Sequence, residues 1–469
     1  MSESNQTLSS APILRALAHL CLPMIAGLAA SSLYGVIGAG IIGHLNRTDF
    51  LAALTFGLPV YTLIMGFGNL FGVGGGTYIS RLAGEYEKTG DIALKARVRN
   101  VSSFTLWASL ATGLLIAIFV PLFASPITRA VGGGSGTATA TATATYIIAM
   151  AIGSPLHIAS FSLEQLVRAE GAAAQSMVGM SLGAAANVAF DFIFILGFGW
   201  SMAGAGIALT CTNAAVCGYF IWWLTARSDN SSLRLHDLSV DLPLVKTVLT
   251  TGLSELLMSA FIIVTSLIMN WIAMSYSEAF LASLGLSLRV SQLVEMVVTG
   301  LVMGSLPLLS YSFGAGKTRR LNATIRTVAL INLAIVAVFS VSLYAFRMPF
   351  LHLFSSDDSV IAASSAFLTA MLVSTAFNGL TSLLITVFQA TNRGKQATAL
   401  SIFQGVAYIP IVLAAHKWIG MSGVVWSMTA TEFLTFIAAA VMYFFSRTSI
   451  GTSHPVEKGT PEAELVLAD

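Results

Sequence analysis

The sequence predicts an all-α polytopic membrane protein, with about twelve transmembrane helices in two pseudo-symmetric six-helix lobes. Composition is the first reason. Hydrophobic residues make up 56% of 469 and charged residues only 9%, against about 25% charged in a soluble globular chain, and mean hydropathy is +0.82. Length is the second: about twelve stretches reach the roughly 20 apolar residues needed to cross a bilayer. The third is an internal echo, in which Gly74 and Gly304, Ser80 and Ser310, and Gly84 and Gly314 stand at one constant offset.

The elements follow in order. The first span, 14–43, comes after a short polar segment and contains Pro23. The second, 53–80, contains Pro59 and the glycine-rich run from Gly72 to Gly76, and a basic loop with Lys88, Lys95, Arg97 and Arg99 separates it from the third, 101–123. The tract from Gly132 to Thr145 is low in complexity and reads as a flexible outer loop running into the fourth span, 142–167. Arg168-Ala-Glu-Gly171 opens the fifth, 172–197, and Met202-Ala-Gly204 the sixth, 202–225. The seventh to tenth fall at 246–272, 279–304, 324–346 and 360–388. Thr391-Asn-Arg-Gly394 opens the eleventh, 395–415, and Met421-Ser-Gly423 the twelfth, 421–446. The chain therefore divides into an N-terminal segment 1–13, a first lobe 14–225, a polar linker 226–245, a second lobe 246–446 and a tail 447–469, read as disordered. Two halves of like orientation imply a pseudo-two-fold axis along the membrane normal.

Charge sets the orientation. Most Lys and Arg residues, from Arg15 through Arg81, Lys95, Arg168, Arg234, Lys317 and Arg393 to Arg447, flank the even-numbered gaps and the termini, while the odd gaps hold only Arg47, Arg129, Arg347 and Lys417. Cytoplasmic loops collect Lys and Arg, so both termini are expected in the cytosol of a multi-pass protein of the cell (inner) membrane, with Arg289 left as the basic residue inside a span. Trp200, Trp271 and Trp418 at outer ends and Trp222 and Trp223 at an inner one agree with an aromatic belt. The N-terminus lacks the charged n-region and cleavage site of a removed signal peptide. Cys21, Cys211 and Cys217 match no metal or disulfide framework and read as packing residues. A net charge of +2 implies no nucleic-acid partner.

The candidate functional residues are acids placed in lipid. Asp191 lies in the apolar run 184–196 with Asn187 one turn before it. An ionised Asp at mid-bilayer costs at least about 2.5–3.5 kcal/mol, so such a residue is expected to serve an ion, a proton or a ligand. Asn187 and Asp191 share one helix face, and their oxygens could converge on Na⁺, whereas a proton would need the carboxylate alone. The alternative is a structural Asp bonded between helices. Glu164 stands four residues before Arg168, and the two could instead form an ion pair near the cytoplasmic end. Glu295, with Ser291 and Gln292 a turn earlier, is an intramembrane acid suited to substrate or coupling. Glu255 and Glu432 fall near predicted cytoplasmic helix ends, where a side chain can reach water; Glu432 reads as an interface residue, and Glu255 is, with Glu295, a candidate substrate or second-lobe acid. Pro23 could be a hinge or a static kink. The seven histidines are scattered, and no His-Glu-x-x-His or Walker sequence appears, so an enzyme is not expected.

At these motifs the chain resembles the multidrug and toxic compound extrusion (MATE) family, and within it the MepA-like branch. The resemblance rests on Leu33-Tyr34, Gly43-His44-Leu45 and Leu51-Ala-Ala-Leu54 in the first hairpin, the glycine-rich second helix, Arg168-Ala-Glu-Gly171, and Asn187 with Asp191. Gly252-Leu-Ser254 with Asn270, and Pro307, Tyr311, Gly314 and Ala315, extend it. It implies a V-shaped bundle of two six-helix lobes that exports amphipathic organic compounds in exchange for Na⁺ or H⁺, with no other cofactor, acting as a monomer by alternating access. It also implies that Asn187 and Asp191 belong to the cation site of the first lobe and that Glu164 adds to it. One departure stands out: many members carry an Asp where this chain has Gly38. The mirror of Asp191 in the second half falls near Pro410 to Ala414, with no acid. A flippase of lipid-linked precursors, from the same superfamily, is the alternative, and the scarcity of cationic residues in the spans argues against it.

Overall fold

The computed structural model describes residues 7–43, 48–132, 136–228, 230–354 and 358–450. His44, Leu45 and Arg47 of the first hairpin and nearly all of the expected tail lie outside them. The first lobe consists of α1 (Ile13–Gly43), α2 (Thr48–Thr89), α3 (Ala93–Leu122), α4 (Ala124–Ala130), α5 (Ala138–Ile152), α6 (Ser154–Ala169), α7 (Ala173–Asp191) and α8 (Ser201–Ala226). The second consists of α9 (Leu242–Tyr276), α10 (Glu278–Gly314), α11 (Thr318–Ala345), α12 (Arg347–Phe354), α13 (Asp358–Ala390), α14 (Gly394–Trp418) and α15 (Met421–Ile450). Eleven of these helices are long and apolar enough to cross a membrane, and a bent pair, α5 with α6, makes a twelfth. Helices are the expected solution, because lipid offers no partner to a backbone N–H or C=O and a helix satisfies both internally.

Two expectations are corrected. The fourth span is not one helix: α5 and α6 meet at 57° across Gly153. Gly153 ends α5 and Pro155 occupies the first turn of α6, where its missing N–H costs nothing. The Ala-Thr tract is not a flexible loop from Thr137 onward. The Thr137 hydroxyl accepts from Ala140 N at 3.0 Å and starts α5. Thr141, Thr143 and Thr145 then donate to the carbonyls four residues back, at 3.3, 2.7 and 2.8 Å, so the tract enters the helix with its hydroxyls satisfied. The linker is also tethered: Ser102, Ser103 and Trp107 of α3 donate to the carbonyls of Ser232, Arg234 and Leu233 at 3.0, 2.7 and 3.2 Å.

In the first lobe α2 packs on α6, α1 on α7 and α3 on α6; in the second α10 packs on α13, α9 on α14 and α13 on α15. The lobes meet where α2 lies against α9 and α10 lies against α1 and α2. Here the internal repeat becomes visible as geometry. A Cβ at Gly74 would stand 2.2 Å from the Val248 carbonyl, and one at Gly304 would stand 2.8 Å from Cys21 Cα. Gly252 lies against the Leu70 carbonyl as Gly300 lies against Ile25, and Gly66 touches Ser259 as Met296 touches Ser32. Gly84 abuts the Tyr311 carbonyl while Gly314 abuts that of Arg81. Each contact has a partner related by the pseudo-two-fold axis, and bare glycine backbone permits the close approach. These contacts run from the end where α1 begins and α15 stops, termed the base, to the middle of the helices. Farther along, Leu33 and Ile37 of α1, Leu58 and Leu63 of α2, Ile262 and Leu267 of α9 and Leu288 and Leu293 of α10 are exposed.

Candidate functional site

The structure places the acids in three groups at different depths. The first surrounds Asp191, at the last residue of α7, where the chain passes into a single π-helical turn, Phe192–Gly197. Such turns interrupt regular helices mostly at functional positions. Phe194 stacks on Phe190 at 5.9 Å and on Trp200 at 5.4 Å, which fixes the turn. Asp191 is 7% and Asn187 5% exposed. Asn187 Nδ2 donates to the Thr212 hydroxyl at 3.4 Å, a bond that leaves its carbonyl oxygen unused. Asp191 makes no hydrogen bond or ion pair among the described residues, and its Oδ2 stands 3.4 Å from where a Cβ would project from Gly38. Tyr34 and Tyr146 lie close enough to feel its charge. The oxygens fit a cation or a proton, although no group of three or more His, Cys, Asp or Glu side chains converges among the described residues.

Glu164, expected beside Asp191, belongs to a second group at the junction of the lobes. Its carboxylate pairs with Arg168 at 3.6 Å and accepts from the Ser176 hydroxyl at 3.3 Å. Tyr34 lies near Asp191 and Tyr61 near Glu164, and the two phenols lie close to each other. Arg168 is not an interfacial anchor. It is 3% exposed, its Nη1 lies 2.7 Å from Met24 Sδ of α1, and it senses Glu255 of the other lobe. Glu255 does not reach water at a helix end either. It accepts from Gln389 Nε2 at 2.7 Å, and the same amide reaches Ser254 at 3.0 Å. The ends of α6 and α13 and the starts of α7 and α14 match at one offset that pairs Arg168 with Gln389. Sequence echo aligned Gly171 with Gly394, but the left-handed residue after α13 is Asn392 (φ 61°), matching Gly171 (φ 79°). Arg81, which is 6% exposed inside α2, joins Arg168 and the expected Arg289 as a basic residue within a span.

The third group lies in the second lobe. Glu295 lies on α10 to one side of the face of Val290, Val294 and Val298, which packs against α11 and α13. Its charge reaches Glu432, eleven residues into α15 and therefore deep in the bundle, not at a cytoplasmic end. Gln404 Nε2 donates to Glu432 Oε1 at 2.7 Å. Sequence reasoning missed Gln404 because an amide in an apolar run carries no charge signal. It misplaced Glu432 because the depth of a residue depends on where a helix crosses its neighbours. Pro23, the expected hinge, sits within an unbroken α1.

Two mirrored six-helix lobes, joined at one end and carrying acids within their spans at the junction and in each lobe, define a polytopic membrane transporter. The MatE family model matches residues 23–193 and 256–414. A multidrug export protein, MepA, of Staphylococcus aureus is 32% identical over 450 residues, covering 95% of this chain and 97% of that one. Its counterpart in Staphylococcus saprophyticus is 31% identical over 437 residues, 93% of this chain and 94% of that one. Among solved structures, a MOP superfamily transporter from Pyrococcus furiosus superposes with a TM-score of 0.88 at 19% identity, over 96% of this chain and 99% of that one. A multidrug resistance MATE family transporter in an outward-facing conformation gives 0.87 at 20%, over 97% and 100%. The chain belongs to the MatE family; it is a transporter, not an enzyme.

Proposed function

We propose that this chain is a multidrug exporter of the cell (inner) membrane that expels amphipathic, cationic organic compounds in exchange for H⁺ or Na⁺ by alternating access. Both termini stand in the cytosol, and the protein acts as a monomer. Asp191 carries the coupling ion, assisted by Asn187. The observation that supports this most directly is Asp191 itself, a residue only 7% exposed whose carboxylate makes no hydrogen bond or ion pair among the described residues. Burying a charge without a partner is costly enough that the group must take up a cation or a proton. Glu164 contributes through Tyr61 and Tyr34 instead of by sharing the ion. The confinement of these lobe contacts to the base and the middle of the helices supports an outward-open state, in which a substrate released between the lobes leaves at the far end and an external ion reaches Asp191. Ion binding shifts the conformational equilibrium only if it differs between the two states. The acids Glu255, Glu295 and Glu432 in the spans of the second lobe disfavour an anionic lipid headgroup, and with it a flippase.

The test is efflux of a fluorescent organic cation from proteoliposomes under an imposed pH or Na⁺ gradient. Asp191→Asn is expected to lower gradient-driven efflux at least about tenfold, equivalent to about 1.4 kcal/mol. Wild-type efflux by this variant, or efflux indifferent to both gradients in the native protein, would sink the reading.

A further inference from the structure

The Pro307 motif near the end of α10 plays no part in the coupling scheme, and its direct effect is on a backbone carbonyl. In an α-helix the C=O of residue i accepts from the N–H of residue i+4, and proline has no N–H to give. Pro307 lies inside α10, so the Met303 carbonyl loses its helical donor. That carbonyl points along the helix toward the Pro307 ring. Freed at membrane depth, it needs a partner from a neighbouring helix or an ordered water.

Met303, Leu306 and Pro307 form one wall of a cavity of about 10 Å³ at the junction of the lobes, and Gly76 and Thr77 of α2 with Arg168 of α6 form the other. Two of these side chains bring hydrogen-bonding groups that nothing engages. Thr77 is 2% exposed, and its Oγ1 has no hydrogen-bond partner among the described residues; the same is true of Nε of the equally buried Arg168. The rest of that guanidinium is in use, with Nη1 against Met24 Sδ and Nη2 beside Glu164. Buried polar groups in folded proteins nearly always find a partner, in protein or in ordered water.

The internal repeat shows that the arrangement is one-sided. At the offset that relates Gly74 to Gly304 and Ser80 to Ser310, Thr77 corresponds to Pro307. The counterpart of Arg168 is Gln389, whose amide is taken up by Ser254 at 3.0 Å and Glu255 at 2.7 Å. A hydroxyl therefore stands on one side of the pseudo-two-fold axis and a proline-freed carbonyl on the other, with one guanidinium N–H left over beside them. Polar groups that face one space without bonding to each other are joined by a ligand between them.

Size and charge define that ligand. A volume of about 10 Å³ accommodates one water molecule, whose usual complement is about three hydrogen bonds. An inorganic cation would meet the Arg168 charge with no acid in the lining. An anion would compete with Glu164 for a guanidinium that is already paired.

We propose that this cavity binds a single structural water, which accepts from the Thr77 hydroxyl and from Arg168 Nε–H and donates to the Met303 carbonyl. The water joins α2 and α6 of the first lobe to α10 of the second, so the site is whole only while α10 stays packed against them. It depends neither on the coupling ion nor on the exported compound.

The experiment is a structure of the detergent-purified full chain at a resolution that shows ordered solvent, together with thermal unfolding of the native and Thr77→Val chains. One solvent peak is expected within about 2.6–3.2 Å of Thr77 Oγ1, Arg168 Nε and the Met303 oxygen. Valine has the shape of threonine without the hydroxyl, so the sign of the effect is diagnostic. With a water bound, Thr77→Val removes one of its partners and lowers the unfolding temperature by about 2 °C or more. Without one, the substitution removes an orphaned hydroxyl and raises it. An unchanged or raised unfolding temperature overturns the proposal, as does a native structure with no peak at this position. A peak that gains anomalous scattering when chloride is replaced by bromide assigns the site to an anion and also overturns it. Should Thr77→Val fail to fold, the solvent peak of the native chain decides alone.

Discussion

Arg168 shows how a single residue ties the two lobes electrostatically. It is buried between Glu164 of its own helix and the field of Glu255 across the junction, and its Nε has no hydrogen-bond partner among the described residues. Removing one member of a buried ion pair costs about 3–5 kcal/mol, because the charge left behind is uncompensated. Arg168→Gln is therefore expected to lower the thermal unfolding temperature of the purified protein markedly. Adding Glu164→Gln should recover part of the loss, since the double variant removes both charges together. A double-mutant cycle on unfolding isolates the coupling, and strictly additive effects would show that the pair does not interact. The sequence displays Glu164 and Arg168 four apart, so the pair itself is legible. That it lies inside the molecule and not at the lipid interface is set by Met24 of α1 lying against Arg168 and Glu255 of α9 standing across the junction, which no local pattern encodes.

At the scale of elements, the spans were readable because hydropathy and length are local, and most helices fall within a few residues of their expectation, while α2 and α10 run on to Thr89 and Gly314 and α3 begins early, at Ala93. The exception is α5 with α6. Its Gly153-Ser-Pro155 break was present in the sequence, but a continuous apolar run outweighed it, and hydropathy does not register direction. The repeat was legible as paired glycines, and the structure adds what they touch. A Cβ at Gly84 would meet the Tyr311 carbonyl at 2.2 Å and Ala315 N at 2.7 Å, both backbone atoms of a packed helix. Neither can move without shifting α10, and overpacking of this kind costs typically about 1–3 kcal/mol. Gly84→Ala and Gly314→Ala should each destabilise the purified protein by that order. Gly218→Ala, at a position with nothing within 4 Å, should not. Equal unfolding temperatures for all three would contradict the close approach.

For the whole molecule, the pseudo-two-fold axis passes between α2 and α10 and ends at a charged pair. Glu87 and Lys317 stand at the same offset as Gly84 and Gly314, and they pair with each other at 2.8 Å across the base. Lys317 also donates to the Ser9 carbonyl at 2.9 Å, and the Tyr311 hydroxyl donates to Glu87 at 3.0 Å. Away from the axis, Arg97 bonds Asp241 at the start of α9 and a second link joins the lobes. A part-exposed pair of this sort is worth about 1 kcal/mol or less, enough to shift a two-state equilibrium about fivefold and not enough to hold it against substrate. That magnitude suits a contact that the proposed alternating-access cycle would open at every turnover. Lys317→Glu, which sets two acids face to face, should raise the population open at the base. The exchange Glu87→Lys with Lys317→Glu should restore the native balance, because the symmetry places either sign at either position. The readout is alkylation of a cysteine replacing the buried Thr77, in a background lacking Cys21, Cys211 and Cys217, by a membrane-impermeant reagent added from the base side. A several-fold faster reaction in Lys317→Glu that returns to the native rate in the exchanged pair establishes the latch, whereas equal rates in all three chains would mean that glycine packing alone holds the base closed.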